Sequence, residues 1–371
     1  MSKTMNKIIY PVYQPSLTGN EKKYVMDCMD STWISSKGEY IQKFENQFAN
    51  FVGVKYATGV CNGTVAIHLA LVALGIKSGD EVIVPTFTYI ASANPIAQIG
   101  AIPVFCDSEE DTWQMSPKDV EAKITPKTKA IMVAHLYGHP CDMEKIMNIA
   151  QKHNLLVIED CAEAIGTKFK NQHVGTFGDI ATFSFFGNKT ITCGEGGMVV
   201  TNDATLFDRA VRLKGQGLAK YREYWHDIPG FNYRMTNIQA AIGLAQLEQV
   251  DKFLAKKHQI ADWYKEFLKD LPVKFHKESK NTYHSYWMCS IQVEKPEIRD
   301  DLRNYMREHG IETRPTFYPI HTMPMYEKEF SKHPVAEDIA LRGINLPSYP
   351  DLTKDDVESI CNVIKDYYEK R

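Results

Sequence analysis

The feature that most constrains the fold is an alternation of short, β-branched apolar runs with helical segments between residues 64 and 202. Such runs, bounded by turn residues, are typical of buried strands. The predicted strands are Glu81–Val84, Ile102–Cys106, Ala130–Ala134, Leu155–Glu159, Ile180–Phe185 and Met198–Thr201. Helical patterns lie between several of them, as at Asp142–His153, where apolar side chains share one face. The alternation predicts an α/β fold with a mainly parallel sheet that carries helices on both faces.

The pattern changes after Gly230. Apolar residues spaced i, i+3, i+4 and i+7 from Ile238 predict a long helix that ends near Leu268. The elements predicted after it are a strand within Tyr286–Val293, a helix at Ile298–His309 and an extended segment at Glu312–Tyr318. We therefore predict two domains, a large α/β domain over residues 1–250 and a smaller α+β domain over residues 251–371.

Three helix starts are marked by capping residues. They are Thr18-x-x-Glu21, Ser116-Pro117-x-Asp119 and Thr353-x-x-Asp356. In each, a Ser or Thr can accept a hydrogen bond from a free backbone N–H, and the acid three residues later can return one. The first predicts an N-terminal helix, and the last predicts a helix that closes the chain.

Charge and apolar content exclude several functions. The chain has 371 residues with 43 Lys and Arg against 46 Asp and Glu, a net charge of −3, and no long basic block. Nucleic acid is therefore not expected as a partner. The longest apolar stretch, Val65–Ile76, is far shorter than the ~20 residues that cross a bilayer, and the first residues contain no continuous apolar run. We expect a cytoplasmic protein without a signal peptide or membrane segment.

The eight cysteines form no CxxC pair and are irregularly spaced, which is typical of free thiols in a reducing compartment. His135, His139 and Cys141 are the nearest approach to a metal-binding group. They straddle a strand end and a turn that contains Gly and Pro, rather than one helix face. We therefore expect a loop with hydrogen-bonded imidazoles there, and no metal.

The segment CNGTVAIHLAL (61–71) is the first of three that could carry chemistry. A strand-like run ends in Asn-Gly-Thr, and a helix begins directly after it. The unpaired backbone N–H groups and the dipole of that helix together form a binding site for phosphate. Gly63 lets the backbone approach a ligand, and the Thr64 hydroxyl adds a donor. Taken alone, Asn-Gly-Thr before a helix is more often a simple helix cap.

The second segment is LLVIEDCAEA (155–164), an apolar strand that ends in Glu159 and Asp160. Ligands of parallel sheets bind beyond the carboxyl ends of the strands, so an acid there can contact a cationic ligand. Taken alone, the pair is more often a helix cap or a surface pair.

The third segment, FSFFGNKTITCGEGG (183–197), holds Lys189 among aromatic residues and glycines. A desolvated lysine has a lowered pKa and can form a Schiff base, although an isolated lysine is more often an ordinary surface residue. A phosphate seat, an acid for a pyridinium and a Schiff-base lysine are together what pyridoxal phosphate (PLP) requires. The three segments therefore predict a PLP site.

Over almost its whole length the chain resembles the PLP-dependent nucleotide-sugar aminotransferases of fold type I, the DegT/StrS-type family. The segments that carry the resemblance are STWISSKGEYIQKFE (31–45), PTFTYIASAN (85–94), AHLYGHPCDM (134–143), GFNYRMTNIQAAIGLAQL (230–247) and RPTFYPIH (314–321). The resemblance implies a large PLP-binding domain, a small C-terminal domain, and a cofactor that cycles between PLP and pyridoxamine phosphate.

The resemblance also implies a role for individual residues. Lys189 matches the family's Schiff-base lysine, and Asp160 matches the acid that pairs with the pyridine nitrogen. Glu163 matches the position beside the cofactor's 3-hydroxyl, and Tyr89 matches the aromatic residue that stacks on the ring. The residues that match phosphate ligands are Gly63, Thr64 and Ser184.

Asn232 matches an asparagine that reaches the phosphate from the neighbouring subunit, which implies a homodimer with composite sites. The positions that match nucleotide-sugar contacts are Trp33, Ser35, Lys37 and His321.

The implied reaction has L-glutamate as the amino donor and a nucleotide-linked keto-sugar as the acceptor. Within the family, the overall similarity of the sequence implies GDP-4-keto-6-deoxy-mannose as the acceptor and a place in polysaccharide (O-antigen) synthesis. A UDP- or dTDP-linked keto-sugar remains an alternative. A PLP-dependent sugar dehydratase is a further alternative, but relatives of that kind carry His at the position of Lys189. A non-catalytic protein of this fold is expected to have lost the lysine or the acid, and both are present.

Overall fold

The computed structural model describes residues 7–327 and 332–371, and a seven-stranded sheet lies at its centre. The strands of this sheet are β1 (Tyr56–Val60), β2 (Glu81–Pro85), β3 (Ile102–Cys106), β4 (Thr128–Ala134), β5 (Leu156–Asp160), β8 (Ile180–Ser184) and β9 (Gly197–Thr201). Their spatial order is β1-β9-β8-β5-β4-β2-β3, and only β9 runs against its neighbours. The predicted α/β fold with a mainly parallel sheet is confirmed, and so are its six predicted strands.

Helices cover both faces of this sheet and continue to the end of the chain. They are α1 (Glu21–Asp30), α2 (Glu39–Val52), α3 (Gly63–Leu74), α4 (Asn94–Gln98), α5 (Pro117–Ala122), α6 (Met143–His153), α7 (Ala204–Lys214), α8 (Asn237–Leu247), α9 (Val250–Leu268), α10 (Pro296–Glu308), α11 (Pro334–Arg342) and α12 (Lys354–Glu369). No helix in the described ranges is long and apolar enough to span a membrane.

Alternation along the strands creates two apolar layers, one on each face. On β2, Val82 and Val84 pack with α3, α4 and α7, whereas Ile83 packs with α5 and α6. On β8, Phe183 joins the layer formed with α2 and α8, which contains Phe44 of α2. Every residue of β8 and every residue of β2 except Glu81 is buried, which explains why these strands appear in the sequence as continuous apolar runs.

The C-terminal half of the chain forms a four-stranded antiparallel sheet, ordered β10-β12-β14-β13. Its strands are β10 (Val273–Phe275), β12 (Cys289–Val293), β13 (Arg314–Pro315) and β14 (Gly343–Leu346). A small third sheet contains β6 (Lys168–Phe169), β7 (Gln172–His173) and β11 (Thr282–Tyr283), so it joins the two halves of the chain. Tyr10 pairs with Ile311, so the N-terminal segment reaches the C-terminal sheet. The division at residue 250 stays a prediction.

The helix predicted from Ile238 to Leu268 is two helices, α8 and α9, separated at Glu248 and Gln249. Side chains just before and within the break bind the N-terminal segment. The amides of Gln246 and Gln249 both donate to the carboxylate of Glu21, at 2.6 and 3.2 Å. The first helix therefore ends where two glutamines bind the N-terminal segment.

The capping predictions have mixed outcomes. Thr353 and Asp356 form the reciprocal box expected at α12. The capping box predicted at Thr18 and Glu21 is wrong. Helix α1 begins at Glu21, and the Thr18 hydroxyl donates to Gln249 instead. Helix α5 begins after Ser116 as predicted, but the Ser116 hydroxyl donates to Glu109 and does not cap the helix.

Asn237, the first residue of α8, fixes the segment that joins α1 to α2. Its Oδ1 accepts from the backbone N–H of Tyr40 at 3.1 Å, and its Nδ2 donates to the carbonyl of Trp33 at 2.7 Å. Its own N–H donates to the carbonyl of Ser35 at 2.6 Å. The side chain is buried, so these bonds are shielded from water.

We expect Asn237→Ala to destabilise the protein, because the buried N–H of Tyr40 and the partly buried carbonyl of Trp33 lose their partner. Such losses cost about 1–3 kcal/mol. The free energy of unfolding, measured by urea denaturation with tryptophan fluorescence, checks this. Asn304→Ala, on the exposed face of α10, is the matched control and is expected within about 0.5 kcal/mol of the parent. Equal stability of the two variants would contradict the structural role of Asn237.

Candidate active site

A cavity of about 620 Å³ lies at the carboxyl ends of the parallel strands. The last residues of β4, β5 and β8, which are Ala134, Asp160 and Ser184, contribute to its wall. This edge is where open α/β sheets bind ligands, because loops diverge there and helix N-termini point inward. The predicted site residues that line it are Gly63, Thr64, Tyr89, Asp160, Glu163, Ser184 and Lys189.

The N-terminus of α3 forms one wall of the cavity. Asn62 caps the helix, since its Oδ1 accepts from the N–H of Val65 at 3.0 Å. The first N–H groups of a helix have no intrahelical acceptor, so those of Gly63 and Thr64 can bind an anion. A Cβ on Gly63 would lie 2.7 Å from Cβ of Ser184, so only glycine lets α3 and the end of β8 approach this closely.

Glu159 and Asp160 are adjacent on β5 and have different surroundings because strand residues alternate. The Glu159 carboxylate accepts from the N–H groups of Gly175 (2.7 Å), Phe177 (2.8 Å) and Gly178 (2.7 Å), and it contacts His135 Nε2 at 3.1 Å. Burial alone raises the pKa of Glu159, but these hydrogen bonds lower it overall. Glu159 is therefore structural, with all its partners in the protein.

His135 completes that arrangement. Its Nδ1 accepts from the backbone N–H of Cys141 at 3.0 Å, so its proton is on Nε2 and is donated to Glu159. The Cys161 thiol lies in the same group, but the two ring nitrogens are already used in hydrogen bonds. The imidazole is thus hydrogen-bonded in the way the sequence predicts.

Asp160 lies in the cavity wall and is held by two donors. The Ser92 hydroxyl donates to Oδ2 at 2.7 Å, and the N–H of Ala162 donates to Oδ1 at 3.1 Å. The Ser92 hydroxyl is in turn 3.0 Å from that of Thr88. The carboxylate therefore has a fixed orientation, and as the residue of this pair that lines the cavity it can pair with a cationic ring nitrogen.

Lys189 also lines the cavity, from the loop between β8 and β9. Its Nζ is 3.8 Å from Oε1 of Glu163 and 3.9 Å from the centre of the Trp287 ring. Burial lowers the pKa of Lys189, although the charges of Glu163 and Asp160 act against this. Burial also raises the pKa of Glu163 to about 7. Glu163 therefore favours the ammonium form of Lys189, against the effect of burial.

An aromatic wall beside Lys189 is not predicted from the sequence. Phe317 and Trp287 line the cavity, and Tyr137 is stacked between them, with interplanar angles of 14° and 12°. Tyr137 has φ of +56°, and its N–H donates to Glu163 at 2.8 Å. Tyr89 contacts Phe317 at the cavity rim and is largely exposed. No local sequence pattern indicates this wall, because its three aromatic residues come from distant parts of the chain.

The remaining predicted residues do not line the cavity of the single chain. Asn232 is exposed, and its Oδ1 accepts two hydrogen bonds from Arg234. Exposed side chains on the segment before α2 include those of Trp33, Ser35 and Lys37. His321 is buried, with Nδ1 2.6 Å from the Thr86 hydroxyl and Nε2 3.2 Å from Glu337. Their binding roles stay predictions.

Comparison with known proteins decides the family. The sequence matches the model of the DegT/DnrJ/EryC1/StrS aminotransferase family over residues 15–365. The chain belongs to this family. It is 64% identical to GDP-perosamine synthase of Escherichia coli O157:H7, covering 97% of this chain and 99% of the relative. It is 55% identical to GDP-perosamine synthase of Vibrio cholerae, covering 96% and 99%.

Solved structures agree with this assignment. The PLP form of a putative sugar aminotransferase from Streptococcus pneumoniae superposes with a TM-score of 0.92 at 26% identity, covering 97% of this chain and 98% of that one. The predictions of a fold type I chain and of a PLP-dependent sugar aminotransferase are confirmed. The residues on the cavity wall fit the cofactor, because they offer anion donors at α3, an acid at the end of β5 and the largely buried amine of Lys189.

We expect Gly63→Ala to weaken cofactor binding by about tenfold or more, since the new Cβ forces apart the donors that meet the phosphate and removes about one charge-assisted hydrogen bond. Fluorescence titration of the cofactor-free protein with PLP measures the affinity. Gly187→Ala is the matched control, because a Cβ there meets no atom closer than 4.0 Å. Unchanged affinity in Gly63→Ala would show that the phosphate binds elsewhere.

Proposed function

We propose that the protein is the aminotransferase that converts GDP-4-keto-6-deoxy-mannose to GDP-perosamine, with L-glutamate as the amino donor. The observation that carries the choice of sugar is identity of 64% and 55% to two proteins named GDP-perosamine synthase, over nearly the full length of each. The cavity supports amino transfer itself, since it combines Lys189, Asp160 and the N-terminus of α3. Synthesis of O-antigen in the cytoplasm is the setting that this product implies.

The proposed chemistry assigns one task to each group. Bound PLP supplies an aldehyde carbon that carries the amine and a ring that accepts electrons from a deprotonated carbon. Gly63, Thr64 and Ser184 bind the phosphate, and Tyr89 covers the ring. Asp160 keeps a proton on the ring nitrogen, because a fixed carboxylate favours the charged form of its partner.

Lys189 is the base of this site. It is the lysine that lines the cavity, and burial lowers its pKa, so a larger fraction of its amine is neutral near physiological pH. It can therefore take a proton from the substrate carbon and return it. Glu163, 3.8 Å away, is placed to stabilise the ammonium form between the two transfers.

The active unit is proposed to be a homodimer in which Asn232 completes the neighbour's phosphate site. The loop that carries Asn232 is held by bridges from Gly215 to Asn232 and from Val60 to Arg234, so its exposed side chains are presented by a fixed backbone. Large apolar side chains are exposed on the residues that precede Asn232 and on the segment before α2, and an interface would remove them from water. They are Leu218, Tyr221, Tyr224, Trp225, Trp33 and Ile34.

We propose that Ser35, Lys37 and His321 contribute to the nucleotide-sugar site of this dimer.

An assay with matched nucleotides tests the function. We expect the purified protein with glutamate to aminate GDP-4-keto-6-deoxy-mannose, with product mass as the readout, and to be much slower with UDP- and dTDP-linked keto-sugars. Lys189→Ala is expected to have no measurable transfer while remaining folded. Preference for a UDP- or dTDP-linked sugar would replace the proposed substrate, and a dehydrated product would replace the proposed reaction.

Asp160→Asn is expected to bind PLP but to lose about a hundredfold or more in turnover, because a neutral amide cannot hold the ring nitrogen protonated. Single-turnover loss of the cofactor's visible absorbance on adding glutamate measures the step. Asp111→Asn, an exposed acid paired with Lys277, is the control and is expected to match the parent. Parent-like turnover in Asp160→Asn refutes this role.

Complementation tests the composite site. Lys189→Ala and Asn232→Trp are each expected to be inactive, and mixing them after dissociation should restore up to about a quarter of the parent activity. Random pairing makes roughly half of the dimers mixed, and each mixed dimer has one site with both residues intact. No recovery in proven mixed dimers would mean that each site is built within one chain.

A further inference from the structure

Lys257 of α9 is a buried lysine that forms no ion pair with a carboxylate of the described residues. Its exposed fraction is 1%, and burial lowers its pKa to about 7. Its Nζ donates to the backbone carbonyls of Trp287 at 3.1 Å and Ser348 at 2.8 Å. Burying an amine costs free energy unless its hydrogen bonds are replaced, so these two contacts account for its location.

Two aromatic residues connect Lys257 to the loop that carries Lys189, and Lys257 contacts Trp287 at its backbone carbonyl and Tyr13 at its ring. The Trp287 indole N–H donates to the carbonyl of Asn188 at 2.7 Å, and its ring lies against Nζ of Lys189. The Tyr13 hydroxyl donates to the carbonyl of Lys189 at 2.6 Å. The Tyr13 ring in turn faces Nζ of Lys257, 5.0 Å from its centre. Two consecutive carbonyls of the lysine loop are thus held by aromatic residues that both contact Lys257.

We propose that Lys257 is a positioning residue for Lys189: it fixes Trp287 and Tyr13, and through them the backbone from which the Lys189 amine reaches the cofactor. The proposal rests on the role given to Lys189 above. Lys257, Tyr13 and Trp287 come from distant parts of the chain, and Lys257 contacts both of the others. Trp287 is also stacked against Tyr137, which limits the planes its ring can adopt.

An amine suits this position better than other side chains. Both the ammonium and the neutral amine of lysine carry at least two N–H donors, so both carbonyls are satisfied in either protonation state. The ammonium form is further stabilised by the Tyr13 ring. An apolar side chain of similar length would leave the carbonyls of Trp287 and Ser348 buried without a donor and would free Trp287 to move.

Displacement by hydroxylamine measures how well Lys189 is held. Hydroxylamine adds to the cofactor carbon bound to Lys189, a new C=N bond forms, and the lysine leaves as a free amine, so the linkage is an equilibrium between two amines. A positioned Lys189 competes with hydroxylamine for the cofactor carbon, and its effective concentration at that carbon is high. This effective concentration falls when the backbone that carries Lys189 is loosened. The holoenzyme is titrated with hydroxylamine, the visible absorbance is followed, and borohydride labelling with peptide mapping confirms that the cofactor is on Lys189.

We expect the hydroxylamine concentration at half-displacement to fall by about tenfold in Lys257→Met. Tyr13→Phe, which removes only the hydroxyl bound to the Lys189 carbonyl, should shift it in the same direction. Lys256→Met is the matched control, since that amine lies over Trp263 and not near the loop, and it should match the parent. Lys257→Arg keeps charge and donors and should restore part of the shift, so it serves as the second variant if Lys257→Met does not fold.

Parent-like half-displacement in a folded Lys257 variant overturns the proposal, and so does an equal shift in Lys256→Met. If Lys257→Met lowers the urea midpoint but leaves the half-displacement concentration unchanged, the variant has lost only general stability. That result would also overturn the positioning role of Lys257. A borohydride label on another lysine would instead refute the role of Lys189. Failure of the proposed function and failure of the positioning role are therefore distinguished.

Discussion

The hydrogen bonds to the Glu159 carboxylate are the interaction on which the geometry of the site depends. They join the end of β5 to His135 beyond β4 and to the amides of Gly175, Phe177 and Gly178. Since neighbouring strand residues face opposite ways, fixing Glu159 on one side fixes Asp160 on the other. A carboxylate buried for structural reasons thus sets the direction of the one that lines the cavity.

Much of the fold and the centre of the site could be predicted, because both are encoded locally. The strands appear as continuous apolar runs, since they are buried on both faces. Gly63, Asp160 and Lys189 lie at or just beyond the ends of such elements, where a parallel sheet collects its ligand contacts. The topology therefore brings together Gly63, Asp160 and Lys189 although up to 126 positions separate them in the sequence, and their types are enough to name the chemistry.

What could not be predicted depends on contacts between distant segments. The break between α8 and α9 coincides with the binding of Gln246 and Gln249 to Glu21, which no helical periodicity encodes. The contact of Trp287 with Lys189 is of the same kind, because an isolated Trp in a strand-like segment gives no sign of its neighbour. In both cases the local pattern is correct and the tertiary partner is the missing information.

The reversed direction of β9 has a consequence for how Lys189 moves. Because β8 and β9 are antiparallel neighbours, their connection needs no crossover helix, and the loop returns directly to the sheet. Its base is closed by the bonds Phe185 N–H to Gly196 O and Cys193 N–H to Phe185 O, both 2.9 Å. The amine at the end of a four-carbon stem can then change position by rotation about its own single bonds. The peptide around Lys189 therefore does not have to rearrange for the amine to move.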